Sequence, residues 1–535
     1  METDIDLSPR APAFILPANG ALEICMTVEH LDVLIVGAGV SGIDAAYHLK
    51  TTCPDRSYAI LEGRDAIGGT WDLFRFPGLR SDSDMYTYGF PFRPWTGKKS
   101  IADGASILQY VRETARELGI ERRIRFKHRV MRATWSSKDA LWTVEVEGAG
   151  EPIHLSCNFL LMCSGYFNYQ FGYAPEFKGS ERFKGRIVHP QNWPASLDHS
   201  GKHVVVIGSG ATAVTMIPAM AEAAAHVTML QRSPSYIVAW PDEDSIAKML
   251  YKVLPLQAAG AVSRWKNALL GSYLYWSARN RPEKLKQRIC NMQRELLGTD
   301  YDLSKDFTPH YAPWDQRLCL APNGDFFASI RNGRTSIVTD TIETFTERGI
   351  KLASGKEIVA DIVVTATGLE LLPLGGAQLV VDGVAVDAAQ TMTYKGVMFS
   401  DIPNFAQVMG YINASWTLKA DLASRYLCRL LNYMRDHGLS RCVPKTNDPS
   451  IERLPIVNFT SGYFQRALDR LPKQGSRPPW CFNQSYLQDR KVLLREPIDD
   501  GILQFLEATE DRPTALAVRT QPIAGIARSN GVRSR

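Results

Sequence analysis

Two dense apolar runs in this chain each stop at a glycine turn. Residues 31–36 run straight into Gly37-Ala38-Gly39-Val40-Ser41-Gly42, and a segment of helical character, IDAAYHLK, comes directly after. Residues 204–207 run in the same way into Gly208-Ser209-Gly210-Ala211-Thr212-Ala213. An apolar strand, a glycine-rich turn and a helix in this order predict a site that lays a pyrophosphate on the helix N-terminus. In the first unit Gly37 permits the turn, Gly39 lets the pyrophosphate reach the backbone, and Gly42 allows helix and sheet to pack closely. Gly208, Ser209, Gly210, Thr212 and Ala213 are the nucleotide-binding candidates of the second unit. Further strands are expected at 58–61, 159–163, 226–230 and 361–365, and a helix at 106–119. Residues 125–130 and 142–146 read as short strands of an antiparallel insertion. Residues 241–300 break the pattern with helical, basic material.

These elements predict an α/β fold of two Rossmann-like dinucleotide-binding domains with a helical insertion. The first domain is discontinuous, at 27–170 and 370–515. The second spans 171–369, with the insertion at about 241–310, and 1–26 and 516–535 are terminal extensions, the first of them disordered. Met26 stands just before the first strand and is a candidate start.

The two units differ at the end of their second strand. The 58–61 strand ends at Glu62, whose carboxylate would accept hydrogen bonds from adenosine ribose hydroxyls; FAD and NAD both fit. The 226–230 strand ends in Gln231-Arg232-Ser233-Pro234, and an arginine there suits a 2′-phosphate and hence NADP, with Lys202 and Gln316 as helpers. FAD and NADPH on one chain would let hydride pass between them.

Composition narrows the classes. A net charge of +5 over 535 residues gives no reason to propose nucleic acid. Nine cysteines without a C-x-x-C pair fit a reduced, cytoplasmic chain. No secretory signal is legible in METDIDLSPR and its neighbours. His199 and His203 are four apart, but Gly201 between them argues against a metal-binding helix, so no metal is expected. In the insertion, Lys248, Lys252, Arg264, Lys266 and Arg279 interleave with Trp265, Tyr273, Tyr275 and Trp276. A cover over the active site is the leading reading of this segment. Weak peripheral contact with the inner membrane face is the second.

Three further stretches carry a resemblance. Gly69-Thr70-Trp71 opens a segment in which Gly69, Trp71, Phe76, Pro77, Gly78 and Asp82 fit G-x-W-x-x-x-x-[FY]-P-G-x-x-x-D. Phe183, Gly185, His189, Trp193 and Pro194 fit F-x-G-x-x-x-H-x-x-x-W-P, and PHYAPWDQRLCLAPNGDFF carries Arg317. Together they resemble the type I Baeyer–Villiger monooxygenases, relatives of the flavin-containing monooxygenases, and over residues 27 to about 505 the EthA-like group of that family. Cys163-Ser164-Gly165 departs from the usual Ala-Thr-Gly.

The resemblance implies FAD, NADPH and molecular oxygen, and a C4a-peroxyflavin that inserts oxygen beside the carbonyl of a hydrophobic ketone or oxidises a thioether. It places Asp82 near the isoalloxazine ring, orienting a catalytic Arg317, and gives Gly69, Thr70 and Trp71 to a flavin-flanking loop. His189 is expected to couple movement of the NADPH domain to catalysis without being the base. A flavin-dependent N- or S-monooxygenase, a pyridine nucleotide-disulfide reductase and a non-catalytic FAD redox module are the alternatives. The missing C-x-x-C speaks against the reductase. The natural substrate and the oligomeric state stay open.

Overall fold

Each glycine turn follows the C-terminal end of an inner strand with parallel neighbours on both sides. In the first sheet Glu29–Val36 is flanked in parallel by Tyr58–Glu62 and Ile153–Met162. Ile124–Phe126 extends it beyond Tyr58–Glu62, and Phe405–Gln407 also pairs with Ile153–Met162. All five residues of Tyr58–Glu62 are buried, as expected of a strand covered on both faces. Five parallel strands form the second sheet, in the order Thr335–Thr339, His226–Gln231, His203–Ile207, Ile362–Thr365, Arg186–Val188. The computed structural model describes residues 28–148, 151–446 and 448–507; Met26, the expected extension at 1–26 and the tail at 516–535 lie outside the described residues.

One expected element resolves differently. Residues 125–130 are not a single antiparallel strand: Ile124–Phe126 joins the parallel set, and Val130–Ser136 starts a new strand that pairs antiparallel with Leu141–Val146. Lys127 separates them in the left-handed region at φ +58°. A lysine in that conformation leaves no mark in the apolar pattern, since glycine or asparagine is the residue expected there.

The chain crosses between the sheets twice, from Met162 to Arg186 and from Thr365 to Gln378. The connectors run side by side. Asn168 N–H donates to Glu370 O at 2.8 Å, Leu372 N–H to Tyr166 O at 2.9 Å, and Tyr173 N–H to Gly368 O at 3.1 Å. Around Phe167 and Leu371 they form a short antiparallel bridge.

The insertion is helical, with Ser245–Val253, Leu256–Asn280 and Pro282–Leu297 as its main helices. No described helix is long and apolar enough to cross a membrane. The expected cover over the site is not what these helices form, since none of their residues lines the cavity described below. Leu256–Asn280 buries small residues, Ala259, Gly260, Ser263, Ala268 and Ala278, together with Arg264. That face packs on the segment after the Gly69–Asp82 loop: a Cβ on Gly260 would stand 2.6 Å from Pro94. The Arg264 guanidinium donates to the carbonyls of Thr87 at 2.9 Å and Gly89 at 2.7 Å.

Candidate functional site

A cavity of about 1230 Å³ joins the two glycine turns. Its wall includes Gly37, Gly39, Glu62, Gly69, Thr70, Trp71, Asp82, His189, Gly208, Ser209, Gly210, Thr212, Arg232 and Arg317. Gly42 and Ala213 stand behind it. A Cβ on Gly42 would lie 1.9 Å from Gly37 O, so that glycine serves helix–sheet contact, and Ala213 is fully buried in the core of the second unit.

Both turns are built by the same steric rule. Gly37 has φ +108°, and a Cβ there would meet Cys163 O at 2.6 Å; Gly208 has φ +131°, and a Cβ would meet Ala366 O at 2.3 Å. Only glycine fits either place. The middle glycines face space instead. The nearest atom to a Cβ on Gly39 is Gly69 Cα at 3.8 Å, and Gly210 has no neighbour within 4 Å. These open approaches, each at a helix N-terminus, fit a pyrophosphate in each unit. Buried cavity-wall atoms Ser164 Oγ and Gln191 Oε1 also lack a protein hydrogen-bond partner among the described residues, as polar groups do where a ligand completes them.

The strand ends differ as the sequence suggests. Glu62 is buried, and its carboxylate accepts from Ala38 N–H at 2.8 Å and Arg64 N–H at 2.9 Å, which fixes it at the cavity wall. Arg232 is exposed on the wall and forms no ion pair among the described residues. Ser209 donates to Ser233 O at 3.0 Å, tying the second turn to the loop that carries Arg232. Gln316 lines the cavity. Lys202 does not: it precedes His203–Ile207, at the end of that strand remote from the turn.

Arg317 and Asp82, 235 positions apart in sequence, meet at the wall. Arg317 Nε donates to Asp82 Oδ2 at 2.7 Å, and Nη1 donates to Ile412 O at 2.7 Å. Burial opposes the guanidinium charge, but the Asp82 carboxylate outweighs it and holds the pKa above its ordinary value. Arg317 is therefore a fixed cation. Asp82 reaches it because the Phe76-Pro77-Gly78 turn presses on the second unit: Gly78 has φ +75°, and a Cβ there would stand 2.5 Å from Thr215 O. Arg80 adds an ion pair to Asp325.

His189 sits between the connectors. Its Nε2–H donates to Gly368 O at 3.2 Å, and its Nδ1 accepts from Gln191 N–H at 3.2 Å. Burial lowers its pKa, against the backbone carbonyls of Gly368 and Tyr173, and so favours the uncharged ring. Gly172 packs flat on it, since a Cβ there would lie 2.0 Å from the ring.

Sequence reasoning missed most of the aromatic wall. Tyr166 and Tyr463 line the cavity, and the charges of Arg317 and Asp82 act on both. Burial pushes the Tyr166 phenol up to about 12. Trp416 lies 5.1 Å from the Tyr166 ring, and its indole N–H donates to Ser41 Oγ at 2.8 Å, inside the first glycine turn. Tyr169 meets Thr70 at 3.3 Å. Asn413, three residues before Trp416 and a candidate for the same pocket by sequence, is not on the wall; it donates to Gln484 O at 2.8 Å. The metal-like grouping is also elsewhere than the sequence hints. His203 starts a strand, away from His199, whereas Asp44, His48 and Asp421 gather between the helices Val40–Thr52 and Trp416–Asp436.

Two units, each with a glycine turn on a parallel-paired strand, share one cavity with a charged arginine–aspartate pair on its wall, a two-dinucleotide-domain architecture that flavoprotein monooxygenases also have. The solved structure of oxidized steroid monooxygenase bound to NADP has this fold, with a TM-score of 0.73 at 21% identity over 90% of this chain and 100% of that one. FAD-containing monooxygenase EthA of Mycobacterium tuberculosis is 54% identical across 92% of this chain and 100% of its own length. The putative FAD-containing monooxygenase MymA of the same species is 50% identical across 91% and 100%. Residues 30–251 match the family described as flavin-binding monooxygenase-like. The chain belongs to that flavin-binding monooxygenase-like family, in the group that includes EthA.

Proposed function

We propose that this protein is an NADPH- and O2-dependent monooxygenase that holds FAD in the first unit and NADPH in the second, and that it inserts one oxygen atom beside the carbonyl of a hydrophobic ketone. Sulfoxidation of a thioether is the accompanying activity. The observation that carries this reading is the Arg317–Asp82 pair on the wall of the cavity that joins both glycine turns. FAD reduced by NADPH supplies the activation of oxygen.

The protein's own groups do the rest. Glu62, held by two backbone N–H groups, offers its remaining lone pairs to the ribose hydroxyls of FAD. Arg232 is free to pair with the 2′-phosphate of NADPH. Arg317 uses Nε and Nη1 on Asp82 and Ile412, which leaves Nη2 to stabilise negative charge on the activated oxygen and on the carbonyl oxygen of the substrate. Because Asp82 fixes that guanidinium, little reorientation is required as charge develops. Tyr166, Tyr463 and Trp416 supply an apolar wall that excludes water. One oxygen atom ends between the carbonyl carbon and its neighbour, and the other leaves as water with the electrons of NADPH.

Turnover of a cyclic ketone and an aryl methyl sulfide under 18O2 with NADPH tests this. Lactone carrying one labelled oxygen is expected, and Arg317→Ala should keep flavin and its reduction while product formation falls by roughly 10²–10³-fold. Sulfoxide without lactone would make the protein a heteroatom oxygenase. Hydrogen peroxide as the sole product would make it a redox module.

A further inference from the structure

The insertion presents an inverted helix surface. Leu256–Asn280 buries its small residues and turns Val262, Trp265, Leu269, Tyr273 and Trp276 outward, a stripe at i, i+3, i+7, i+11 and i+14. Ser245–Val253 does the same with Ile246, Met249 and Val253 at i, i+3 and i+7. These side chains are between 36% and 69% exposed. An ordinary surface helix turns such a stripe toward the core. Here the core side is already filled by alanine, glycine and serine, and within the stripes only Trp265 meets a ring from outside the insertion among the described residues, Tyr486, with centroids 5.7 Å apart.

The charge pattern selects what covers them. From Ser245 to Arg281 there is no aspartate or glutamate, against six lysines and arginines. Arg264 points inward, and Lys248, Lys266 and Arg279 pair with Glu243, Asp244 and Asp315, carboxylates outside these two helices. Lys252 is exposed with no carboxylate partner among the described residues, and the Arg281 guanidinium lies over Trp276 at 5.5 Å. A second copy docking through the same face would bring Lys252 and Arg281, the cations without a carboxylate partner among the described residues, against their own kind. Tryptophan and tyrosine beside basic residues suit an anionic lipid headgroup layer, in which rings sit at the boundary and cations meet phosphates. Since no described helix is long and apolar enough to cross a bilayer, this segment would lie on it.

We propose that the helices Ser245–Val253 and Leu256–Asn280 dock this protein on an anionic bilayer surface, their outward apolar stripes entering the headgroup region. The face adjoins the catalytic segment. Arg279 Nη1 holds Asp315 at 2.6 Å, two residues from Arg317, and Tyr275 packs edge-on against Trp314 with ring centroids 5.6 Å apart. Docking would therefore set an apolar phase beside the loop that carries the active-site cation.

Co-sedimentation of the full-length, FAD-loaded protein with vesicles tests this, using pure phosphatidylcholine and a 3:1 mixture with phosphatidylglycerol. The protein should partition onto the anionic vesicles, more weakly onto the neutral ones, and less as salt is raised. Met249→Glu/Leu269→Glu should lower partitioning by roughly tenfold or more, whereas Val359→Glu/Val384→Glu, at exposed apolar positions outside the insertion, should leave it unchanged. Flavin content, read by absorbance, confirms that each variant is folded. The proposal is overturned if the wild-type protein stays in the supernatant with both vesicles, or if the insertion variant binds as the wild type does. It is equally overturned if light scattering shows a dimer that Leu269→Glu dissociates, because a second copy would then cover the face.

Discussion

The two nucleotide units share one turn and differ in what surrounds it. Gly37 and Gly208 are each locked against a carbonyl of the neighbouring strand's end, Cys163 in one case and Ala366 in the other. Around the first turn the chain closes in: Glu62 is buried and pinned by two backbone donors, and Gly69 and Tyr169 approach from the next loops. Around the second it stays open, with Gly210, Arg232 and Ser233 exposed. The same turn can thus serve a ligand that stays and a ligand that leaves, and the difference lies in the flanking loops. That contrast suits a resident FAD and an exchanging NADPH.

The sharpest way to break the comparison is to block each turn. Gly37→Val should give protein that purifies without flavin, while Gly208→Val should keep its flavin and lose reduction by NADPH; the flavin-to-protein absorbance ratio and anaerobic reduction read the two outcomes. Equal loss of flavin from both variants would show that the units are not separable. Next in size is Arg232→Glu, expected to raise the KM for NADPH by roughly 100-fold and that for NADH far less, as steady-state kinetics would show. His189→Ala should slow flavin reduction by roughly tenfold with flavin retained, and His189→Gln, which keeps a donor toward Gly368, should recover part of it. A change in oxygenation chemistry with reduction untouched would instead place His189 among the catalytic groups.

The smallest effect concerns the helix that carries the first turn. Asp44 is fully buried, and neither carboxylate oxygen has a hydrogen-bond partner among the described residues. Burial pushes its pKa up to about 7, although His48 opposes this with its Nε2 at 3.9 Å. A raised folded-state pKa means stability that is complete below the unfolded value of about 4 and lost as pH rises through 7. Asp44→Asn should therefore gain melting temperature relative to the wild type between pH 5 and pH 8, by roughly 1–2 °C for each kcal/mol of relieved charge in a chain of this size. No change in the gap between the two proteins would show that Asp44 is ionised and compensated.

Legibility tracked the range of the physics. The glycine turns were readable because strand, turn and helix are contiguous and their steric demands fall on single residues. Arg317 and Asp82 were readable through the resemblance of their local motifs, and the fold brings them to 2.7 Å. Tyr166 and Tyr463 have no local spacing that announces the wall they share, and the sequence allows Trp416 equally as a pocket residue or a core one; separate loops bring the three together. Asp44 and His48 stand four apart on one helix, yet their third partner, Asp421, comes from another helix far along the chain. The insertion's sequence shows only that helical, basic material interrupts the second unit; packing shows that its small side chains face in and its large ones out.

The paired connectors have a mechanical consequence. Two crossings held together by hydrogen bonds from Tyr166 to Tyr173 and from Gly368 to Leu372 behave as a strap, stiff across its width and pliant through its thickness. A single thread would let the second unit swivel freely. A strap would leave it chiefly one direction of swing, and under the proposed function the unit that holds NADPH would return along one arc to the same partner atoms. His189 ties the edge of that strap through Gly368 O, and its burial, which favours the uncharged ring, would spare each swing the desolvation of a charge.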